Sequence, residues 1–258
     1  IVVNLTTSVL SGEVEIGDTY YLILDIYHTK NQPIPRITNI EYLINRVGTK
    51  QGGSIGETTE WTYARKAISA GNFQFIALVH FEGDAGKINS NTVNVREMCP
   101  SISKFKDLPD IEKRAKELWN MSVNYTREHQ STYETKEYGC FIYMNTQTGK
   151  CGSEVIEGEP VPLDKEVEAK VHFTYSTQEY DPREPFDLIV GTLHSHYPLT
   201  WAASGVRRTP GPSSTDNGGS LPGLVYDYLY QVFAGDPVDI KDNPKQMYTY
   251  GPDRREIP

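Results

Sequence analysis

"GTLHSHYPLTWAASGVRRTPGPSSTDNGG", residues 191–219, ends an apolar run with two histidines one residue apart and, beyond residues 197–212, sets Ser213 and Asp216. As a strand, "DLIVGTLHSH" alternates its side chains, so His194 and His196 share one face and Ser195 takes the other. Two imidazoles aimed at one point suit zinc, which takes a histidine nitrogen at about 2.0–2.1 Å. A catalytic zinc site wants three protein ligands and one open position. Asp216, just after "PSST" where a loop can enter a helix, is the candidate third. Hydrolysis there also needs a carboxylate that is not a ligand, to take and return protons. The other reading is a pair of hydrogen-bonded surface histidines. Six histidines in 258 residues bring an H-x-H together by chance often enough that the spacing alone does not decide.

The bulk composition narrows the choice of partners. At 258 residues the chain exceeds one typical domain and is expected to split in two. A net charge of −9 and a pI near 5.2 argue against nucleic acid or an anionic membrane as the main partner. No apolar run approaches the roughly 20 residues of a membrane-spanning helix. With no initiating Met and no signal-like stretch, the chain is expected to be a mature or truncated form. Seventeen tyrosines in an acidic chain suit an exported bacterial protein, periplasmic or at the cell surface. Cys140 and Cys151 flank a hairpin turn; pairing, with Cys99 left over, and three free thiols both stand open.

The two halves follow different patterns. "TYYLILDIY", "ITNIEYLINRV", "EWTYARKAI", "FQFIALVHFEG" and "NSNTVNVRE" read as short strands between turn clusters, which predicts an antiparallel sandwich. His28 and His80 are isolated there. Two prolines in "REMCPSISKFKDLPD" mark the boundary, and "LPDIEKRAKELWNMSVNYTREHQ" follows. Asp110 as N-cap and an apolar stripe at Ile111, Ala115 and Leu118 predict a helix of about four turns. "YGCFIYMNTQTGKCGSEVIEG" predicts a hairpin; "EAKVHFTYST", "FDLIVGTLHSH" and "KQMYTYGP" predict strands; "PGLVYDYLYQVF" fits strand or helix. Tyr226, Tyr228 and Tyr230 alternate as one face of a sheet, with sugar binding as the lesser alternative. The expected class for this half is α+β or α/β.

The letters around the histidines add to this. The ending "AGNFQFIALVHFEGDAGKINSNTVNVRE" resembles the last strands of bacterial Ig-like domains, a likeness covering residues 1–97. "VGTLHSHYP" followed by "PSSTD" resembles the signature of the JAMM (MPN, or JAB-type) zinc metalloproteases over residues 104–258. In that family a Glu precedes the strand after the first helix, and Glu137 in "KEYGCFIY" stands there. The resemblance implies two domains: an all-β Ig-like sandwich, then an α+β JAMM-like domain with a mixed sheet and a flanking helix. It implies Zn2+ held by His194, His196 and Asp216, with Glu137 as general acid/base on the metal-activated water. Ser213 would then donate to the oxyanion of the tetrahedral intermediate.

Two departures stand out. Residues 197–212 form a longer spacer than the family pattern, and Tyr197 intervenes before Pro198. That insert carries Trp201, Arg207 and Arg208, suited to reading a carboxylate or an acidic peptide; a loop with no role is the other option. His129 and His172 are expected to be packing or surface residues, and Glu134 is a nearby rival to Glu137 that does not abut the "YGCFIY" strand. The expected function is zinc-dependent hydrolysis of a peptide or isopeptide bond in a protein or peptide substrate. The alternative is an inactive surface adhesion protein that keeps the JAMM-like fold, its partner met through the Ig-like part.

Overall fold

Among the described residues, strand content of 46% against 14% helix places the chain, in this computed structural model, among mostly-β proteins with mixed sheets. The structure describes residues 1–45, 47–51, 60–163, 171–173, 180–181, 184–202, 205–217, 219–234 and 243–256. The chain divides into two units between Cys99 and Pro100. Among the described residues no helix is long and apolar enough to cross a membrane.

The first unit runs through β1 (Val2–Thr7), β2 (Glu13–Glu15), β3 (Thr19–Tyr27), β4 (Ile37–Ile44), β5 (Val47–Gln51), β6 (Glu60–Lys66), β7 (Gly71–Phe81), β8 (Lys87–Asn89) and β9 (Val93–Met98). One sheet has the order β1-β3-β6; the other is β2-β9-β7-β4-β5, with β8 on β7. Alternation does the sorting: Tyr20, Leu22, Leu24 and Ile26 of β3 are buried, as are Phe75, Ala77, Val79 and Phe81 of β7. Residues of both sheets share one core. "ITNIEYLINRV", expected as one strand, breaks at Asn45, whose φ of 48° turns the chain into a β4–β5 hairpin. Asn is among the few residues that tolerate this region. His80 lies 3.0 Å from Glu41 and His28 is half-buried.

The second unit begins with α1 (Ser103–Lys106) and α2 (Pro109–Glu128). Strands β10 (Glu134–Thr135), β11 (Tyr138–Asn145), β12 (Cys151–Glu157), β13 (Val161–Pro162), β14 (Tyr180–Asp181) and β15 (Glu184–Ser195) follow. Then come β16 (Arg207–Arg208), α3 (Ser214–Asn217), β17 (Gly223–Tyr228), β18 (Val232–Phe233) and β19 (Lys245–Tyr250). The main sheet has the order β12-β11-β15-β17-β19, with β14 on β15. It is mixed, because β15 and β17 pair in parallel while β11, β12 and β19 join antiparallel.

Helix α2 is longer than expected and starts two residues earlier. Pro109 takes the first helical position, where its missing N–H costs nothing. Leu108 precedes it, so Asp110 lies inside the first turn instead of capping it. Its buried face (Ile111, Ala115, Leu118, Trp119, Ser122, Thr126) packs on β11, β12, β15 and β17. Trp119 meets Tyr226 and Tyr228 edge-on, at 6.1 and 5.0 Å between ring centroids. Those two tyrosines are therefore core, whereas Tyr230 is 62% exposed. "PGLVYDYLYQVF" is strand from Gly223 to Tyr228.

Of the two options open for the cysteines the free thiols hold, and one strand expectation changes. Cys140 sits opposite Val155 and Cys151 opposite Met144, so the hairpin register holds the pair apart and all three cysteines are free. Of "EAKVHFTYST", residues 171–173 are described and form no strand; the rest lies outside the described residues.

Candidate metal centre

The main sheet has a face against α2 and an opposite face, and its registers sort the site residues between them. On β15, Ser195 lies beside Tyr138 and Tyr226, and so shares their face, with Tyr226 packed on Trp119 of α2. His194 and His196 face the other way. Continuing the β11 register one step past Tyr138–Ser195 brings Glu137 beside His196. Continuing the β17 register past Tyr226 brings Asp227 there from the other side, where the His196 N–H donates to the Tyr226 carbonyl at 3.2 Å.

The third ligand comes from the loop after the insert. Ser213 and Asp216 form a reciprocal capping box at the start of α3. The Asp216 N–H donates to Ser213 Oγ at 3.2 Å, and the Ser213 N–H donates to Asp216 Oδ2 at 2.6 Å. The Ser-x-x-Asp spacing thus has a local structural purpose: it locks the carboxylate in the direction of the histidines. Asp216 Oδ1 lies 3.3 Å from His194 Nε2, and Oδ2 lies 3.5 Å from His196 Nε2. Ligand atoms of the three residues all fall within 4.8 Å of one another. Tetrahedral ligands at zinc–ligand distances of 2.0–2.1 Å stand about 3.4 Å apart, so one ion fits between these atoms with small adjustment. His194, His196 and Asp216 can hold a metal ion.

Each imidazole is oriented through its far nitrogen. His196 Nδ1 lies 2.9 Å from Asp227 Oδ2, which also accepts from the Gly211 N–H at 3.1 Å. Asp227 Oδ1 accepts from Arg208 Nη2 at 2.7 Å. His194 Nδ1 lies 3.2 Å from Tyr250 Oη, itself 2.9 Å from Thr192 Oγ1. Partners of this kind fix the tautomer and raise metal affinity. The Tyr250 ring reaches His194 by crossing Gly223, where a Cβ would run into it. Gly223→Ala is therefore expected to displace the ring and cost about 1–3 kcal/mol, read from the unfolding midpoint in urea; an unchanged midpoint would refute the close approach.

The local charges differ sharply between the two histidines. Burial, then the neighbouring His196, lowers His194 to about 4, so it is neutral and ready to coordinate. Burial acts downward on His196 too, but Asp227 beside it, with hydrogen bonding to Asp216 and Asp227, pushes it up to about 9. Burial would raise Asp216 and Asp227, yet both end near 2: His196 and His194 act on Asp216, Arg208 and His196 on Asp227. Burial, opposed by His196 and Arg208, lifts Glu137 to about 7. The metal-free centre thus holds an imidazolium between two carboxylates, and a metal ion must displace its proton. Binding is expected to release about one proton per ion near pH 7, and to tighten about tenfold per pH unit up to pH 9. Calorimetry in buffers of different ionisation enthalpy reads this directly; zero proton release would contradict the charged His196.

Glu137, His194, His196, Ser213 and Asp216 all line one cavity of about 510 Å³. Glu137, His194 and His196 are 5%, 3% and 5% exposed. The insert divides: Arg207 and Arg208 line the cavity and Trp201 does not. His129 stacks on Tyr125 at 4.0 Å, His172 is exposed, and Glu134 accepts from Thr132 Oγ1 at 3.3 Å; none of them lines it. Asp227 and Tyr250 were not foreseen from the sequence. A carboxylate between two strand tyrosines was a usable signal for Asp227, since alternation puts it on the histidine face. Tyr250 had none.

No family model matches the chain, and no curated protein matches it. Among solved structures, that of the endo-beta-1,4-mannanase from Thermotoga petrophila is similar over 38% of this chain and 20% of that chain. Identity is 12% and the TM-score 0.27, too low to carry an argument about fold or activity.

Proposed function

We propose that the second unit is a zinc-dependent hydrolase of a peptide or isopeptide bond, JAMM-like in fold and mechanism. It would be carried behind an Ig-like sandwich on an exported bacterial protein. The observation that carries this is the convergence of two imidazoles and one carboxylate on a point in a cavity that also holds a separate buried carboxylate. The order of elements supports the family: α2, Glu137 ahead of the β11–β12 hairpin, the His-x-His end of β15, and the Ser213–Asp216 capping box. Two sheets closing on one core support the Ig-like reading of the first unit.

Zinc held by His194, His196 and Asp216 would supply Lewis acidity and make water nucleophilic near neutral pH. Glu137 is not among the three ligands, and its buried carboxylate is free to take a proton from water and return it to the leaving nitrogen. Ser213 Oγ accepts from the Asp216 N–H, so its own O–H is not used in that contact and can donate to a developing oxyanion. Asp227 and Tyr250 hold the two imidazoles by Nδ1, which leaves both Nε2 atoms for the ion these residues would hold. A cavity of this size takes several residues of an extended peptide.

The test is metal content by elemental mass spectrometry after zinc exposure and exhaustive dialysis. About one zinc per chain is expected in the wild type and none in His196→Ala. No retained zinc in the wild type would overturn the proposal.

A further inference from the structure

The cavity wall beside the centre carries a guanidinium that is only partly used. Arg208 gives Nη2 to Asp227 Oδ1, but its Nε and Nη1 are shut from solvent with no hydrogen-bond partner among the described residues. A guanidinium stays charged at working pH and offers five donors, so dry, unpaired N–H groups are unfavourable. Asp227 is already shared, since it also accepts from His196 Nδ1 and the Gly211 N–H. The Tyr197 and Tyr228 rings lie 4.9 and 5.5 Å from Arg208 Cζ, which holds the group in place. Arg207 lines the same cavity from an exposed position, adding a second cation on that wall. Val171, Phe173 and Leu221 supply an apolar part of the lining. A chain of net charge −9 thus places two adjacent arginines in the wall of its candidate metal site.

We propose that this wall is a carboxylate subsite. A turn of the Arg208 side chain brings its two unused donors into the cavity, where, with Arg207 beside them, they take a carboxylate of the bound molecule, and the apolar lining takes a hydrocarbon or aromatic group joined to it. Under the hydrolase reading, on which this part rests, the substrate is a peptide with an acidic side chain or a free C-terminal carboxylate close to the cleaved bond. Carboxylate binding itself needs neither metal nor catalysis.

The experiment uses the 15N-labelled full chain, metal-free and zinc-loaded, titrated with 3-phenylpropionate and in parallel with 3-phenylpropionamide. Arginine Nε–H resonances are followed by NMR, with Arg208 assigned by the signal missing in Arg208→Lys. The acid is expected to shift the Arg208 resonance saturably in both forms, with a Kd about tenfold or more below that of the amide. In Arg208→Gln that preference falls to about unity. The wild-type titration stands by itself if this variant does not fold. Equal response to acid and amide, binding of the acid without movement of the Arg208 resonance, or no binding of either probe would overturn the subsite. The metal-free arm separates the two ideas: failure to retain zinc removes the hydrolase reading and leaves the subsite result intact, and the converse also holds.

Discussion

Glu137→Gln is expected to keep about one zinc per chain and to lower hydrolysis by about 10²–10⁴-fold, the range a positioned general acid/base contributes. The substitution keeps the shape and removes the ability to exchange a proton. The three candidate ligands are untouched, since Glu137 is not one of them. His194→Ala is expected to lose metal and hydrolysis together. The two variants thus separate ligand from proton carrier, and need metal analysis plus peptide-library hydrolysis followed by mass spectrometry. A Glu137→Gln variant hydrolysing at the wild-type rate would end the assignment of Glu137.

Asp227→Ala is expected to cost more than any other single change outside the three ligands. Asp227 is fully buried and joins Arg208 to His196. Its removal leaves the Arg208 guanidinium, 15% exposed in its side chain, without a counter-charge. Breaking a buried pair from one side typically costs about 3–5 kcal/mol. The lost acceptor on His196 Nδ1 should also weaken metal binding about 10–100-fold. Denaturant unfolding of the metal-free protein measures the first effect and a competitive zinc titration the second. Removing Arg208 as well, in Asp227→Ala/Arg208→Met, should recover much of the stability and none of the metal affinity. A loss below about 1 kcal/mol with unchanged affinity would show that Asp227 is a bystander.

What the sequence disclosed followed from period and local chemistry. Strict alternation marked β3 and β7, the two-residue spacing marked His194 and His196 as one face, and the apolar stripe marked α2. Placing Glu137 opposite His196 needed the antiparallel register of β11 on β15, which no local pattern specifies. The orienting partners were hidden for the same reason: Asp227 and Tyr250 lie 31 and 56 residues from the histidines they face. Asn45 and Pro109 show smaller failures. In each case one residue's backbone preference moved a boundary that hydrophobic pattern alone had drawn elsewhere.

The capping box at Ser213 and Asp216 has a consequence for how this protein can vary. Because the aspartate is aimed by its own helix turn, the direction of the third ligand does not depend on the path the chain takes from His196. Doubling a flexible loop costs only about 0.6 kcal/mol in closure entropy. Beyond Leu199, which is fully buried, the stretch leading to Val206 can therefore lengthen, shorten or change composition at small cost to the centre, so long as Arg208 still reaches Asp227. Novelty in what the cavity admits can accumulate there while the coordination geometry is inherited unchanged.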